Sequence, residues 1–317
     1  MTKFGFIRSP HDPRDWPLSR IVPTAPTAAL PPEIDLSHLV PIRDQGQCGT
    51  CVSFAGTGIM DAFQKRAHTI PQGGLSPLFL YARCKAQDGI PDQEGTFPRV
   101  ALEVMRKEGI CPESALPYSK LSQQACLTMP QITEAHMQAA LQYKIKAYAR
   151  IYSLQEIKQA LAAGKLVMPG VLVTESFMKP LNGVLPEPSG RILGLHAVYL
   201  CGYSDSKKAV RMANSWGASW GDKGFCWIPY DVLEWKADIG MEFMMEAWAV
   251  EVEYTPEDKI EMWVDKNTAI VNGVEVQLDV PPTIKDGRVL VPLRFVSEAL
   301  GRSVHWDNIN KKVVITK

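Results

Sequence analysis

The chain has 317 residues, 46% of them hydrophobic and 21% charged, which excludes wholesale disorder and leaves room for two domains with a sizeable core. Its 34 Lys and Arg balance 34 Asp and Glu, so charge gives no support for wrapping nucleic acid or an anionic membrane. No stretch reaches the ~18–20 apolar residues that span a bilayer, and Met1–Arg8 lacks the apolar core of a signal peptide. The expectation is a soluble, untargeted chain whose location is otherwise undetermined.

Residues 1–32 hold seven prolines and little periodicity, as in an extended arm running over a folded body. From Cys51 the apolar residues Phe54, Ile59, Ala62 and Phe63 recur at near-helical spacing to about Arg66, so a helix opens at that cysteine. Further helices are expected near 76–85, 96–108 and 153–163, and apolar strands over 165–174, 196–203, 209–214 and 224–229. Helices first and antiparallel strands second indicate an α+β fold of two lobes. After a composition shift near Tyr254–Asp258 come two strands around Asn272-Gly273, a strand at 288–291, a helix at 292–300 stopped by Gly301, and a hairpin over 303–316. The expected domains are the arm (1–31), a main domain (32–253) and a small β-rich domain (254–317).

Thiol acyl transfer requires a thiolate, a base, an orienter for the base and donors for the oxyanion. Cys51 at the first turn of an apolar helix gains from the positive end of the helix dipole, which favours the thiolate. His196 opens a later apolar strand and would exchange a proton with it. Asn214, at the end of the next strand, can accept from the second ring N–H of His196, with Trp216 shielding that bond from water. Gln45, six residues before Cys51, can offer its side-chain amide to the oxyanion beside the backbone N–H of Cys51. If Cys51 stays free, the other six cysteines can pair in fifteen ways or not at all.

Gln45-Gly-Gln-Cys-Gly-Thr-Cys51, His196 and Asn214-Ser-Trp-Gly-Ala-Ser-Trp-Gly-Asp-Lys-Gly224 occur in this order. Together with Leu75-Ser76 and Pro117-Tyr118, they make residues 32–250 resemble the papain-like cysteine peptidases, with a bacterial type of N-terminal segment. The resemblance implies a two-lobed papain-like fold, a helical lobe plus an antiparallel β-barrel-like lobe. It places catalytic roles at Cys51, His196, Asn214 and Gln45. It further implies endopeptidase action with an apolar P2 preference, Pro98 and Ala197 lining the S2 pocket and Met244 near its far end. No cofactor or metal is expected, and the partner is a peptide or protein substrate.

Thr50, Val52 and Leu195 depart from the family pattern. Cys48 in the family bridges to a Cys-x-Gly-Gly segment, and Asp92–Pro98 contains no cysteine, which leaves Cys84 or no partner. The arm either clamps the two lobes or lies across the cleft as a short inhibitor, and the clamp is favoured because extended arms most often serve packing. Val271–Val280, Asp286–Gly301 and Val304–Asp307 resemble the copper amine oxidase N-terminal-like stalk domain, a module without copper chemistry that is common on secreted and surface proteins. It suggests extracellular or cell-surface association and a surface or protein partner. His305 reads as a strand residue, and His11, His38, His68 and His136 as surface or packing residues. The alternative to a thiol endopeptidase is a non-catalytic peptide- or surface-binding protein on the same scaffold; a wall-peptide amidase is disfavoured by Asn214-Ser-Trp-Gly217.

Overall fold

The computed structural model describes residues 4–22, 30–67, 69–118, 126–237, 240–252, 260–271, 274–300 and 302–316. The Asn272-Gly273 turn, Gly301, His68 and the Tyr254–Asp258 boundary lie outside them. The chain divides into one unit of residues 1–63 and 71–253 and a second of residues 64–70 and 254–317.

In chain order the first unit contains β1 (Glu33–Asp35), α1 (Cys51–Arg66), α2 (Pro77–Lys85), α3 (Pro98–Lys107), α4 (Glu134–Ala140), β2 (Ala147–Ile151), α5 (Leu154–Ala162), β3 (Val167–Thr174), β4 (Ile192–Ala197), β5 (Tyr199–Ser204), β6 (Ala209–Ala213), β7 (Phe225–Pro229), α6 (Tyr230–Leu233) and β8 (Met244–Glu251). Helix starts follow their caps: the Ser76 hydroxyl accepts from Phe79 N before Pro77, and Ser153 does the same for α5. α1 is buried from Cys51 to Ala62, so it is a central helix. Its residues Val52, Ala55, Ile59 and Met60 share a core with Phe79 and Leu80 of α2 and Leu102 and Met105 of α3.

The antiparallel sheet runs β2-β8-β3-β5-β6-β7, with β4 also on β3 and β1 on β5. β3 is buried at every position, and with Tyr203, Val210 and Ile228 it builds a second core. The single strand expected over 196–203 is two strands. Val198 breaks it, its N–H going to Pro169 O at 3.2 Å, so β4 stays on β3 while β5 crosses to β6. A run buried on both faces has no alternation to mark such a break.

The second unit holds β9 (Ile260–Met262), β10 (Thr268–Val271), β11 (Val274–Gln277), β12 (Thr283–Lys285), β13 (Arg288–Leu290), α7 (Leu293–Ala299), β14 (Ser303–Asp307) and β15 (Lys312–Thr316). The order β11-β10-β9 forms one small sheet, and β12-β13 and β14-β15 are hairpins. Arg294 of α7 donates to Val304 O of β14 at 2.9 Å. His305 is an exposed strand residue opposite Val314.

Candidate active site

Cys51 is the first residue of α1 and is wholly buried. Its Sγ accepts the backbone N–H of Ala197 at 3.4 Å, and the backbone N–H groups of Gly5, Val52 and Cys51 itself also act to lower its pKa. Ala197 follows His196, so the end of β4 meets the start of α1. Register carries the strand there: Val171 of β3 faces His196 and Gly170 faces Ala197.

His196 Nε2 lies 2.8 Å from Asn214 Oδ1. An amide oxygen only accepts, and this one also takes Ser215 N–H at 2.8 Å, so Nε2 carries the proton and Nδ1 holds the free lone pair. Nδ1 is buried and has no hydrogen-bond partner among the described residues. The Trp216 indole stacks on the imidazole, centroids 4.6 Å apart at 29°, and closes it from water. Burial lowers the His196 pKa to about 4, opposed by the Asn214 bond. Burial also pushes the Cys51 thiol up to about 11, against the pull of four backbone N–H groups. Burial thus favours the uncharged form of each group.

Gln45 is fixed at both ends of its amide: Oε1 accepts from Ser215 Oγ at 2.6 Å and Nε2 donates to Cys48 O at 2.8 Å. Tyr118 Oη donates to Gln45 O at 2.7 Å and lies 3.0 Å from Thr50 Oγ1. Thr50, the departure just before the nucleophile position, thus has a partner. Cys48 bridges to Cys126, which corrects the expectation of Cys84 or no partner; Cys84 is a free, buried thiol. The partner sits in a polar stretch that gives no sequence signal for it.

The arm packs against the site residues. Phe4 sets its ring edge toward His196 and Trp216, at centroid distances of 6.3 and 6.1 Å. Phe6 pairs with Thr96 in parallel: Thr96 N–H donates to Gly5 O at 2.9 Å and Ile7 N–H to Thr96 O at 3.1 Å. The Phe6 ring is 4% exposed and rests against Gly170, where any Cβ would overlap it; the register neighbours of Gly170 are Ala197 and Glu246. Ser9 then binds the buried Glu246 carboxylate. Farther on, Asp15 forms a two-pronged pair with Arg99, and Leu18 and Ile21 are buried in the sheet-side core. The described start of the arm thus lies beside His196 and Trp216, while its Leu18 and Ile21 pack into the sheet-side core.

Among the expected pocket residues, Ala197 stands beside both Cys51 and Gly170. Pro98 is the buried first residue of α3, two positions past Thr96. Trp216 covers His196, and Met244 begins β8, opposite Val171. Sequence reasoning missed Gly170, Thr96, Glu246, Ser215 and Tyr118. Ser215 and Tyr118 stood in the family motifs without a role of their own, and Gly170 carried a signal as a glycine inside an apolar strand, which marks close approach of another group.

Residues 30–246 match the family described as Papain family cysteine protease. The chain belongs to the papain family. Residues 238–315 match the copper amine oxidase N-terminal domain, and among the described residues no three His, Cys, Asp or Glu stand together as metal ligands. Papain-family relatives include an uncharacterized peptidase C1-like protein of Acanthamoeba polyphaga mimivirus, 28% identical over 72% of this chain and 81% of that one. Cathepsin K of Gallus gallus is 30% identical over 59% of this chain and 54% of its own. The solved structure of xylellain, a cysteine protease from Xylella fastidiosa, superposes with a TM-score of 0.67 at 26% identity, covering 79% of this chain and 96% of xylellain. The protein is a papain-like cysteine peptidase, and no helix among the described residues is long and apolar enough to cross a membrane.

Proposed function

We propose that the protein is a cysteine endopeptidase that works through Cys51, His196 and Asn214 and is held latent by residues 4–7 of its own arm. The observation that carries this reading is the junction itself: a buried Sγ at a helix N-terminus accepts the N–H next to His196, whose Nε2 is taken by Asn214 and whose Nδ1 has no partner.

With the arm out, water and substrate replace the apolar cover and the thiol proton passes to Nδ1. Sγ then bonds to the scissile carbonyl carbon, and the electron pair of C=O moves onto oxygen, where Cys51 N–H and the Gln45 amide receive it. Collapse breaks the C–N bond, the amine leaving with the proton from Nδ1. Water attacks the thioester, gives its proton to His196, and Cys51 departs to regain it.

Phe6 seated over Gly170 beside Ala197 supports an apolar P2 preference, since burying such a ring from water contributes roughly 2–3 kcal/mol.

The test is cleavage of fluorogenic peptides bearing Phe, Leu or Lys at P2 by the full chain, by a chain starting at Ser9, and by Cys51→Ala. Expected are slow cleavage by the full chain, faster cleavage by the shortened one with Phe and Leu preferred, and none by Cys51→Ala. A folded shortened chain that binds these peptides without cutting them overturns the reading in favour of a binding protein.

A further inference from the structure

Lys85, the last residue of α2, buries its ammonium in a cage of oxygens. Nζ donates to Ile90 O at 2.7 Å, Gln93 O at 2.7 Å and Gly95 O at 3.1 Å, and lies 2.9 Å from Asp88 Oδ2. Both side chains are sealed, 4% and 0% exposed. An ammonium has three N–H donors and no acceptor, so three carbonyls of one loop use all of them and Asp88 balances the charge. Ion burial of this kind is costly unless so compensated.

What the cage holds is the cleft edge. Gly95 C=O and Thr96 N–H belong to the same peptide unit. Lys85 grips its oxygen, while its N–H donates to the docked backbone at Gly5 O. A cation on the carbonyl fixes the plane of that peptide and polarises its N–H toward a stronger donor. Tyr81 Oη accepts Gly95 N–H at 3.1 Å on the preceding peptide, and Glu94 accepts Gly49 N–H at 3.1 Å, linking the edge to the loop before Cys51. In the family pattern a disulfide from Cys48 ties this segment; here Cys48 is committed to Cys126.

We propose that Lys85 is a positioning residue for peptide binding: its ammonium orients and polarises the Gly95–Thr96 peptide so that Thr96 can pair with the backbone of an incoming peptide, a place the arm takes in the latent chain. This rests on the reading of the cleft as a peptide-binding site.

The experiment compares the full chain with Lys85→Met on two substrates, a peptide and its analogue with a thioamide at the P2 carbonyl, which is a poor backbone acceptor for the Thr96 N–H. Arm competition affects both substrates alike, so the ratio of kcat/KM isolates the edge. The wild type is expected to favour the unmodified peptide by about tenfold, the worth of one well-made hydrogen bond, and Lys85→Met by less than about threefold, with KM rather than kcat moving. Lys85→Gln, neutral but still a donor, is expected to fall between them and serves if Lys85→Met does not fold. An unchanged ratio in folded variants of lower melting temperature makes Lys85 a fold prop and overturns the proposal. If the wild type cuts nothing, iodoacetamide labelling of Cys51 reads the same edge through the arm: a rise of about tenfold in Lys85→Met upholds the inference while the peptidase reading fails, and an unchanged rate overturns it.

Discussion

Ser9 places both of its donors on one carboxylate, its backbone N–H 2.9 Å from Glu246 Oε2 and its hydroxyl 3.0 Å from Oε1. Arg150 Nη1 at 3.2 Å and Trp248 Nε1 at 3.1 Å complete the shell. A buried carboxylate has about four lone-pair sites, and here the arm fills two, so lifting the arm leaves costly vacancies until water or a substrate donor enters. Ser9→Ala removes one of these bonds at roughly 1 kcal/mol. The expected result is labelling of Cys51 by iodoacetamide that is about fivefold faster, with the unfolding midpoint nearly unchanged.

Gly5 lies where a side chain cannot, because a Cβ there would overlap the Gly49 carbonyl. Gly5→Ala therefore expels the arm's tip without shortening the chain. Peptidase activity should rise to the level of the chain starting at Ser9, while thermal stability holds, since Leu18 and Ile21 remain in the sheet-side core. Leu18→Ala is expected to do the reverse, costing about 2–4 kcal/mol of stability, measured by urea denaturation.

The Cys48–Cys126 bridge closes a separation of 78 residues and anchors the loop whose Cys48 carbonyl receives the Gln45 amide. Cys126→Ser should lower stability by about 2–4 kcal/mol. Adding reductant should bring the wild-type melting temperature down to the variant's and leave the variant unmoved.

Asp61 accepts Leu75 N–H at 2.8 Å inside the helical core, and burial raises its pKa from 3.8 to about 7. The folded chain then holds a proton that the unfolded chain has released, so this contribution is full below the unfolded value and is lost as pH rises through about 7. Asp61→Asn keeps an acceptor for Leu75 without the titration. Relative to wild type it should gain on the order of 2–4 kcal/mol at about pH 8 and almost nothing at about pH 4, read from urea unfolding at both pH values.

His196 titrates in the opposite sense. Kept neutral down to about 4 against 6.5 for the exposed group, it lowers stability as pH falls across that interval, where the unfolded chain binds the extra proton. His196→Gln should flatten this limb on the order of 2–3 kcal/mol, measured by the same unfolding series.

Elements with a strong local period were legible before any coordinates. α1 begins at Cys51 and α3 and β6 lie where apolar spacing put them. β8 was not legible, since no strand was expected over Met244–Glu251, and neither was the break at Val198. In the site, Gln45, Cys51, His196 and Asn214 carry their chemistry in residue type and neighbours. Glu246 and Lys85 are ordinary residues until long-range folding sets them against Ser9 and Gly95.

By itself, then, the sequence determined the helix that starts at a cysteine, the strands that end near a histidine and an asparagine, and the family these residues belong to. Local periodicity and side-chain chemistry are enough for that. Only the tertiary structure decided that Cys48 reaches Cys126, that a lysine ammonium holds the cleft edge, and that Gly5 lies by the nucleophile while Leu18 and Ile21 brace the sheet-side core. Each of those depends on atoms far apart in the chain meeting within a few ångströms, and such meetings leave no period and no motif in the residues that make them.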